Sequence, residues 1–361
     1  MKDLEKMLRK SITKIPNKGL NTSLTVSVVL LLFAIFDIEM LKKIEIGNIS
    51  GIANTVDSIA SPILDIFENG FIKILIYALF GIILIVRIYK SAIHPRAIII
   101  NHSSFSNAQS SYDPSIVSGH SVKEIDINLV NQMARHNTVD AIRTQDALIE
   151  EALNDCDKST ELFYYGIAHI PLIFRAGFQV GDEGKVRLLH KFRNDQPFFK
   201  EISSDPDTYT VRLRPTTIRN TKVSSEMLVI VATSLPVASE DLAVFRSGNI
   251  CCELHFEMEN KSMYGFDSVD SYAAMNRLRK GILDKIRETA TKKNIKRIHM
   301  VLATSSDFTF FLAQGFSKNH DPEVVVYHYD RNSNTKYPWG ISNILSPANA
   351  VIRQTINPPE K

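Results

Sequence analysis

The C-terminal part of the chain contains an internal repeat, and this repeat constrains the fold more than any other feature. Three short segments recur in the same order: 166–169 and 301–304, 175–178 and 313–316, 191–194 and 329–332. The first pair shares an alanine, at 168 and 303; the second shares a glycine, at 177 and 315; and the third shares an arginine, at 193 and 331. A repeat of this length indicates two similar halves that arose by duplication.

Within each copy, short runs of β-branched and aromatic residues alternate with stretches of helical periodicity. The first copy has predicted strands at 97–100, 162–167 and 186–192, with predicted helices at 139–155 and about 170–178. The second copy has predicted strands at 227–232, 250–256, 297–302 and 324–329, with predicted helices at 268–293 and 306–315. This alternation predicts a parallel sheet with right-handed crossovers.

The fold class we predict is therefore α/β, with two fused Rossmann-like halves. The domain is expected to cover 96–345, with halves at about 96–215 and 224–345, and a tail at 346–361. Residues 101–125 are polar and rich in serine, and we predict a loop there.

Ligands of such sheets bind at the carboxyl ends of the strands. Small or hydroxyl-bearing residues stand at these ends, just before helices whose free N–H groups favour phosphate. With the cations of the repeated 191–194 segment, the candidate ligand-binding residues are Ser103, Ser104, Phe105, Ala168, His169, Lys191, Arg193, Thr233, Ser234, Thr304 and Ser305. The alternative for the serines is that they only cap the following helices.

The single tryptophan, Trp339, follows the last predicted strand. Tyr337 lies two residues before it, and Arg331 and Lys336 precede both. Aromatic rings stack on bases and cations hold phosphates, so these four residues join the candidate ligand-binding set. The alternative is that Trp339 forms a hydrophobic lid over the sheet.

Signatures of catalysis and of metal binding are missing from the sequence. It contains no Gly-x-Ser-x-Gly, no phosphate-binding Walker loop, no dinucleotide glycine fingerprint and no His-Glu-x-x-His. His255 and His328 fall within predicted strands, where we interpret them as structural. The three cysteines, Cys156, Cys251 and Cys252, match no zinc spacing and are interpreted as buried thiols of a reducing compartment. We expect no catalytic residues, no metal and no cofactor.

Two apolar blocks, at about 20–38 and 71–89, precede the α/β part. Each has a length close to the roughly 17–25 residues that cross a bilayer. Lys73 and Arg87 lie near the ends of the second block, where long side chains reach the headgroups. We predict that residues 1–95 are a membrane anchor with two transmembrane helices, the alternative being a pair of buried core helices.

The distribution of charge gives the orientation of this anchor and restricts the partners. Residues 96–361 contain 31 basic and 31 acidic residues, so the net charge of +3 comes entirely from residues 1–95. This balance argues against binding to a DNA or RNA polymer. Basic residues precede the first apolar block and follow the second, whereas most of the charged residues between the two blocks are acidic. We therefore expect both termini in the cytoplasm of a protein that crosses the inner membrane twice.

The second copy resembles a SAVED domain. The resemblance rests on a strand that ends at Ala303, a helix followed by Gly315, the segment 322–327, and Tyr337 and Trp339 further on. It extends more weakly over 166–194 and covers about 250 residues. SAVED domains are two fused CARF-like Rossmann units that bind cyclic oligonucleotides, so the resemblance implies that ligand class.

Two spans followed by a SAVED domain are similar to membrane-anchored effectors of bacterial CBASS anti-phage systems. The resemblance implies sensing of a cyclic trinucleotide made by a CD-NTase-type nucleotidyltransferase, then homo-oligomerisation, membrane damage and abortive infection. The residues alone leave two alternatives. One is a membrane-tethered nucleotide-processing enzyme, such as a phosphodiesterase that uses His169. The other is a membrane scaffold whose α/β domain binds a protein.

Overall fold

The structure is a computed structural model that describes residues 96–106, 111–157, 159–182, 186–193, 198–204, 212–219 and 224–354. These residues belong to a compact unit that begins at Ile93. The predicted transmembrane helices at about 20–38 and 71–89 lie outside the described residues. Within the described ranges, no helix combines the length and the apolar character needed to cross a bilayer.

Among the described residues, the first half of the unit contains a sheet of six strands and three α-helices. Its strands are β1 (Arg96–Ser103), β2 (Ser111–Tyr112), β3 (Ser121–Asn128), β4 (Glu161–Ile167), β5 (Val186–His190) and β6 (Phe198–Glu201). Its helices are α1 (Val130–Ala134), α2 (Thr138–Asp155) and α3 (Ile170–Val180).

The described part of the second half contains a sheet of seven strands and three further α-helices. Its strands are β7 (Leu213–Arg219), β8 (Glu226–Ala232), β9 (Ile250–Met258), β10 (Arg297–Ala303), β11 (Glu323–His328), β12 (Trp339–Ser342) and β13 (Val351–Arg353). Its helices are α4 (Ala243–Ser247), α5 (Tyr272–Lys293) and α6 (Ser306–Gln314).

The two sheets have the same parallel centre. The strand order is β2-β6-β5-β4-β1-β3 in the first sheet and β13-β12-β11-β10-β8-β9-β7 in the second. The parallel runs β5-β4-β1-β3 and β11-β10-β8-β9 are therefore equivalent. The crossover helices are also equivalent, with α2 matching α5 and α3 matching α6. This mixed α/β architecture is the duplicated arrangement that the repeat predicts.

One continuous core joins the two halves. A single cluster of buried apolar residues includes β1 and β4 of the first sheet and β8, β10 and β11 of the second. Tyr164 of β4 stacks on Phe310 of α6, with ring centroids 3.8 Å apart. Because fully buried side chains of both halves share this contact, the halves form one packed body rather than two domains joined by a linker.

Helices α3 and α6 pack directly against each other at the centre of this core. Gly177 of α3 lies so close to α6 that a Cβ atom there would be 2.3 Å from the carbonyl oxygen of Phe310. The helices can approach this closely only because position 177 has no side chain. Their amino termini, which follow β4 and β10, are thereby brought to the same edge of the molecule.

The polar segment 101–125, predicted to be a loop, contains secondary structure instead. It includes the end of β1, all of β2, a 3-10 helix at Pro114–Val117 and the start of β3. Strand β3 pairs in parallel with β1 along eight residues. The hydrophobic pattern misses β3 because it forms the edge of the sheet and its first four residues are exposed. Exposed polar residues are usual on edge strands, where they oppose aggregation.

Two predicted boundaries also differ from the structure. Strand β7 begins at Leu213, inside the predicted first half, yet it pairs with β9 of the second sheet. Strand β13 lies in the predicted tail and pairs with β12. Both strands are short or exposed additions at sheet edges, where apolar periodicity is weak.

Candidate functional site

A cleft of about 610 Å³ lies where the carboxyl ends of β4, β5, β10 and β11 meet the amino termini of α3 and α6. Its volume is in the range of roughly 300–1,000 Å³ that is typical of ligand sites. Both halves contribute to its walls. The cleft is lined by Phe105, Gly166, Ile167, Ala168, His169, Ile170, His190, Lys191, Phe192, Arg193, Phe199, Phe266, Leu302, Thr304, Ser305, Ser306, Asp307, Tyr327, His328 and Tyr329.

Four aromatic side chains contact one another in a row across the junction of the halves. Phe105 stacks on His169 with a centroid distance of 4.2 Å and an interplanar angle of 19°. His169 contacts His328 at 4.7 Å, and His328 stacks on Trp339 at 4.9 Å. Since Phe105 is 41% exposed, its outer face is available to a base.

The two histidines of this row are uncharged at neutral pH. Burial, with smaller contributions from His328 and His102, lowers the pKa of His169 to about 3. Burial likewise lowers the pKa of His328 to about 4, against a small opposing effect of Asp330. This wall of the cleft therefore offers apolar faces and neutral hydrogen-bonding groups, and no formal charge.

A third histidine, His190, is charged instead. It ends β5, the strand equivalent to the one that His328 ends. Its Nδ1 lies 3.1 Å from Asp307 of α6, and its Nε2 lies 3.0 Å from Asp267. Burial alone would lower the pKa of His190, but the charge and hydrogen bond of Asp307, and then the contact with Asp267, raise it to about 9. The two equivalent histidines thus differ in charge because of their neighbours.

Two more cations follow His190 on the same wall. The Nζ atom of Lys191 lies 5.9 Å from the centroid of the Phe199 ring. The guanidinium of Arg193 lies 3.5 Å from the centroid of Phe266, a residue of the second half. Both cations therefore lie over aromatic rings of the cleft, an arrangement in which a cation is attracted to the ring face. One wall of the cleft, at 190–193, therefore carries three cations against the two carboxylates Asp267 and Asp307. We call it the cationic wall, and the wall at His169 and His328 is uncharged.

The amino terminus of α6 supplies hydroxyl groups to the cleft. Thr304 and Ser305 line it just before the helix begins, and Thr304 Oγ1 lies 2.6 Å from Thr309 Oγ1. Ser305 occupies the N-cap position, yet its side chain makes no capping hydrogen bond. The capping explanation therefore does not account for Ser305 in this structure.

The structure brings seven of the predicted ligand-binding residues to the cleft wall: Phe105, Ala168, His169, Lys191, Arg193, Thr304 and Ser305. Others lie behind the wall. Ser104 is buried and contacts His169, and Trp339 supports His328 from the next strand. Ser103, Thr233 and Ser234 are buried at neighbouring strand ends.

Three predicted residues lie apart from the lining. Tyr337 is buried in a small separate apolar cluster, where its ring lies 5.6 Å from that of Phe245. Burial raises the pKa of Tyr337, so its hydroxyl stays protonated. Lys336 donates to the carbonyl oxygen of Arg331 at 2.8 Å, and Arg331 is exposed. The motif around Trp339 is thus divided between core, surface and the back of the cleft.

Sequence reasoning missed several residues of the cleft. His328 was interpreted as structural, yet it lines the cleft, because β11 ends at that residue. His190 and Asp307 come from different halves and gave no joint signal in the sequence. The equivalence of 191–194 with 329–332 could have indicated His190 and His328 as a pair, since each directly precedes a repeated segment.

A larger cleft of about 1,060 Å³ lies at the opposite edge, where α2, α3 and α6 end. Helix carboxyl termini do not favour anions, so this edge suits a phosphate ligand less well than the amino termini of α3 and α6 do. In the described part of the chain, no group of histidine, cysteine, aspartate or glutamate side chains has an arrangement that could hold a metal ion. Cys251 and Cys252 are buried free thiols on β9, and Cys156 is a half-buried one.

The family model described as "SMODS-associated and fused to various effectors sensor domain", or SAVED, matches residues 145–342. This chain belongs to the SAVED family. The matched part of the SAVED domain runs from within α2 to the end of β12 and so includes Lys191 and Arg193 on one wall of the cleft and His169 and His328 on the other.

Among solved structures, the SAVED domain is similar to the Acinetobacter baumannii Cap4 SAVED/CARF-domain containing receptor with the cyclic trinucleotide 3'3'3'-cAAA. The identity is 12% and the TM-score 0.49, over 69% of this chain and 52% of that chain. For the same receptor with the cyclic trinucleotide 2'3'3'-cAAA, the identity is 10% and the TM-score 0.48, over 70% of this chain and 52% of that chain. For the Moraxella osloensis Cap4 SAVED/CARF-domain containing receptor, the identity is 12% and the TM-score 0.42, over 67% of this chain and 48% of that chain. The aligned region spans about half the length of these receptors. No curated protein matches the sequence.

Proposed function

We propose that the chain is a receptor that binds a cyclic oligonucleotide in the cleft between its two halves. The observation that carries this proposal is the division of the cleft into a cationic wall and an aromatic wall. A cyclic oligonucleotide presents phosphates and bases in alternation, and the two walls offer cations to the first and stacking surfaces to the second. The family description as a sensor domain supports the same function.

The ligand we propose is a cyclic trinucleotide made by a CD-NTase-type nucleotidyltransferase. The two walls of the cleft suit a compact ligand that carries both phosphates and bases, and the cleft volume suits a small ring better than a polymer. The balanced charge of residues 96–361 argues against binding to a DNA or RNA polymer. We further propose that binding needs no cofactor and that the protein is not an enzyme.

The response we propose is homo-oligomerisation followed by disruption of the inner membrane in anti-phage defence. Its support comes from the two apolar blocks in residues 1–95 and from the basic residues that flank them. In this arrangement the SAVED domain is cytoplasmic, where its ligand is made. A ligand can drive such a change only if it binds the assembling state more tightly than the idle state.

Binding should depend on the cationic wall. We expect the protein to bind a cyclic trinucleotide more tightly than a linear trinucleotide or a cyclic dinucleotide. Lys191→Met should reduce the affinity for the cyclic trinucleotide about tenfold, because a charge-assisted contact to phosphate is lost. Isothermal titration with cyclic di-, tri- and tetranucleotides measures this. The matched control is Lys280→Met, which removes a lysine from the exposed face of α5 and should leave affinity unchanged.

Recovery of the ligand after incubation tests the non-enzymatic part of the proposal. Ligand that is recovered intact supports a receptor, and cleavage products would indicate a phosphodiesterase. A wild-type protein that binds none of the rings contradicts the proposed function.

Membrane damage should depend on the first predicted span. Leu31→Asp places a charge at its centre, which costs about 2.5–3.5 kcal/mol on insertion scales. We expect the variant to keep its nucleotide affinity and to lose depolarisation of cells that produce the cognate ring, as measured with a membrane-potential dye. The control, Asn54→Asp, adds the same charge between the predicted spans and should still depolarise cells. Depolarisation by an expressed Leu31→Asp protein would show that the membrane is not the target.

A further inference from the structure

A loop of the second half reaches over to the cationic wall of the cleft. Residues 259–270, which we call the strap, lie between β9 and the residue that caps α5. The ring centroid of Phe266 lies 3.5 Å from the guanidinium of Arg193, and both side chains line the cleft. The next residue, Asp267, has one carboxylate oxygen 3.0 Å from Nε2 of His190 and the other 3.3 Å from the backbone nitrogen of Arg193. The strap therefore contacts the groups of the first half that attract anions.

The carboxylate of Asp267 has the hydrogen-bond partners that suit a phosphate. His190 is the charged histidine of the cleft, so both of its ring nitrogens are donors. Asp307 lies at Nδ1, and Nε2 is the donor that faces Asp267. A charged N–H and a backbone N–H are donors that phosphate oxygens use as well. A phosphate and the carboxylate of Asp267 therefore compete for the same two donors.

The two carboxylates at His190 differ in how easily they can be exchanged. The side chain of Asp307 belongs to α6 and is 4% exposed, whereas that of Asp267 is 34% exposed. A carboxylate that leaves His190 must find water, because a buried charge without a partner is strongly unfavourable. Asp267 can turn toward solvent and Asp307 cannot. An arriving phosphate would thus replace Asp267 and leave Asp307 in place.

The strap has few contacts that oppose such a movement. Val269 is its one buried side chain, and the other strap residues are partly or fully exposed. On the side of its own half, the amide of Gly265 and the hydroxyl of Ser268 donate to the carbonyl oxygen of Thr233, at 3.4 and 3.0 Å. Segments with few buried apolar contacts open at a small cost in free energy. The strap can therefore leave the cationic wall while the core of the fold stays intact.

We infer that Asp267 is an internal competitor of the ligand, whose carboxylate occupies the place of one phosphate and keeps the strap on the cationic wall until a phosphate displaces it. The inference rests on the proposed function and adds a regulatory device to it. An internal competitor lowers the apparent affinity in proportion to the fraction of molecules that are open. It thus raises the ligand concentration at which the receptor responds, and it couples ligand binding to a movement of the strap.

The first test is the affinity of the full-length protein for cyclic di-, tri- and tetra-adenylate, measured by isothermal titration. Asp267→Asn keeps the size of the side chain and removes its charge. We expect the variant to bind the preferred ring about tenfold more tightly than the wild type does, because the competing contact with His190 loses its charge assistance. If Asp267 only supported the shape of the cleft, its substitution would weaken binding instead.

The matched control is Asp330→Asn, because the loss of any negative charge near the cleft favours an anionic ligand to some extent. Asp330 follows Tyr329, a residue that lines the cleft. Its carboxylate accepts from the backbone N–H of Asn332 at 2.9 Å, a hydrogen bond that asparagine also makes in turns. We expect this variant to change the affinity less than about twofold, since salt screens a partly exposed charge.

The outcomes separate this inference from the proposed function. Failure of both the wild type and Asp267→Asn to bind any of the rings removes both. Binding by Asp267→Asn alone supports both. Equal or weaker binding by Asp267→Asn, compared with a wild type that binds, overturns the inference and leaves the receptor function intact. An equal gain in affinity for Asp267→Asn and Asp330→Asn overturns it as well, because the effect would then be one of general charge.

Hydrogen exchange provides a readout of the strap that does not depend on a change in affinity. In the wild type saturated with the ring that it binds, the backbone amides of the strap should exchange faster than in the free protein, because the strap has left the wall. In free Asp267→Asn, the same amides should already exchange faster than in the free wild type. Slower or unchanged exchange of the strap in the liganded wild type would overturn the inference, since the strap would then remain closed over the ligand.

Discussion

Arg175→Met is expected to lower the free energy of unfolding by about 3–5 kcal/mol, the range for breaking a buried ion pair from one side. Arg175 lies in α3 and is 8% exposed. Its Nε and Nη2 atoms contact both carboxylate oxygens of Asp146 in α2, at 2.7–3.2 Å. Its Nη1 atom donates to the carbonyl oxygens of Ser342 and Leu345, at 2.7 and 3.0 Å.

The large effect follows from what the substitution leaves behind. Methionine fills a similar volume, but Asp146 keeps a charge without its partner, and the carbonyl oxygens of Ser342, at the end of β12, and of Leu345 lose their donor. Because those carbonyls belong to the second half, the variant should also weaken the junction between the halves. Urea unfolding measures the change.

The matched control is Arg143→Met, also an arginine paired with an aspartate of α2. Arg143 contacts Asp140 at 3.0 Å, but both side chains are about half exposed. Exposed pairs contribute at most about 1 kcal/mol, so this variant should unfold almost like the wild type. Equal losses of unfolding free energy for Arg175→Met and Arg143→Met would show that the buried contacts of Arg175 do not stabilise the fold more than an exposed ion pair does.

The charged His190 should make stability depend on pH in the alkaline direction. Its folded pKa of about 9 lies above the ordinary value near 6.5. The stabilisation is therefore complete below about pH 6.5 and is lost as the pH rises through 9. The pKa difference corresponds to about 3 kcal/mol. His190 is 3% exposed, so screening by solvent is small.

The measurement is the difference in unfolding free energy between the wild type and His190→Gln, from pH 6 to pH 10. We expect a large difference at pH 6 that declines toward zero near pH 10, because the neutral imidazole no longer pairs with Asp307 and Asp267. His136→Asn is the control. His136 is exposed and has a φ of 54°, which asparagine tolerates. A difference for His190→Gln that is constant across this range would mean that the imidazolium is not formed.

The pattern of apolar residues was sufficient to predict the central elements. The helix predicted at 139–155 is α2, at Thr138–Asp155, and the strand predicted at 227–232 is β8, at Glu226–Ala232. These elements are buried on one or both faces, and burial requires apolar residues at regular intervals along the sequence. The edge strands β3, β7 and β13 face solvent and obey no such period, which is why the pattern missed or misassigned them.

The candidate site was predicted in part, for a related reason. Strand ends before helices indicated His169, Thr304 and Ser305, because the chain order alone places them at the carboxyl edge of a sheet. The charge states of the histidines could not be predicted from the sequence. His190 and His328 end equivalent strands, yet one faces two carboxylates and the other faces aromatic rings.

The duplicated α/β unit follows from the amino-acid sequence alone, because periodicity and repeated segments are local properties of the chain. The division of the cleft into a charged and an uncharged wall depends on the tertiary structure. That division depends on contacts between residues more than a hundred positions apart, such as His190 with Asp307 and His169 with His328. The electrostatic energy of a side chain is set by the groups around it in space, and these come from both halves only after α3 and α6 have packed together.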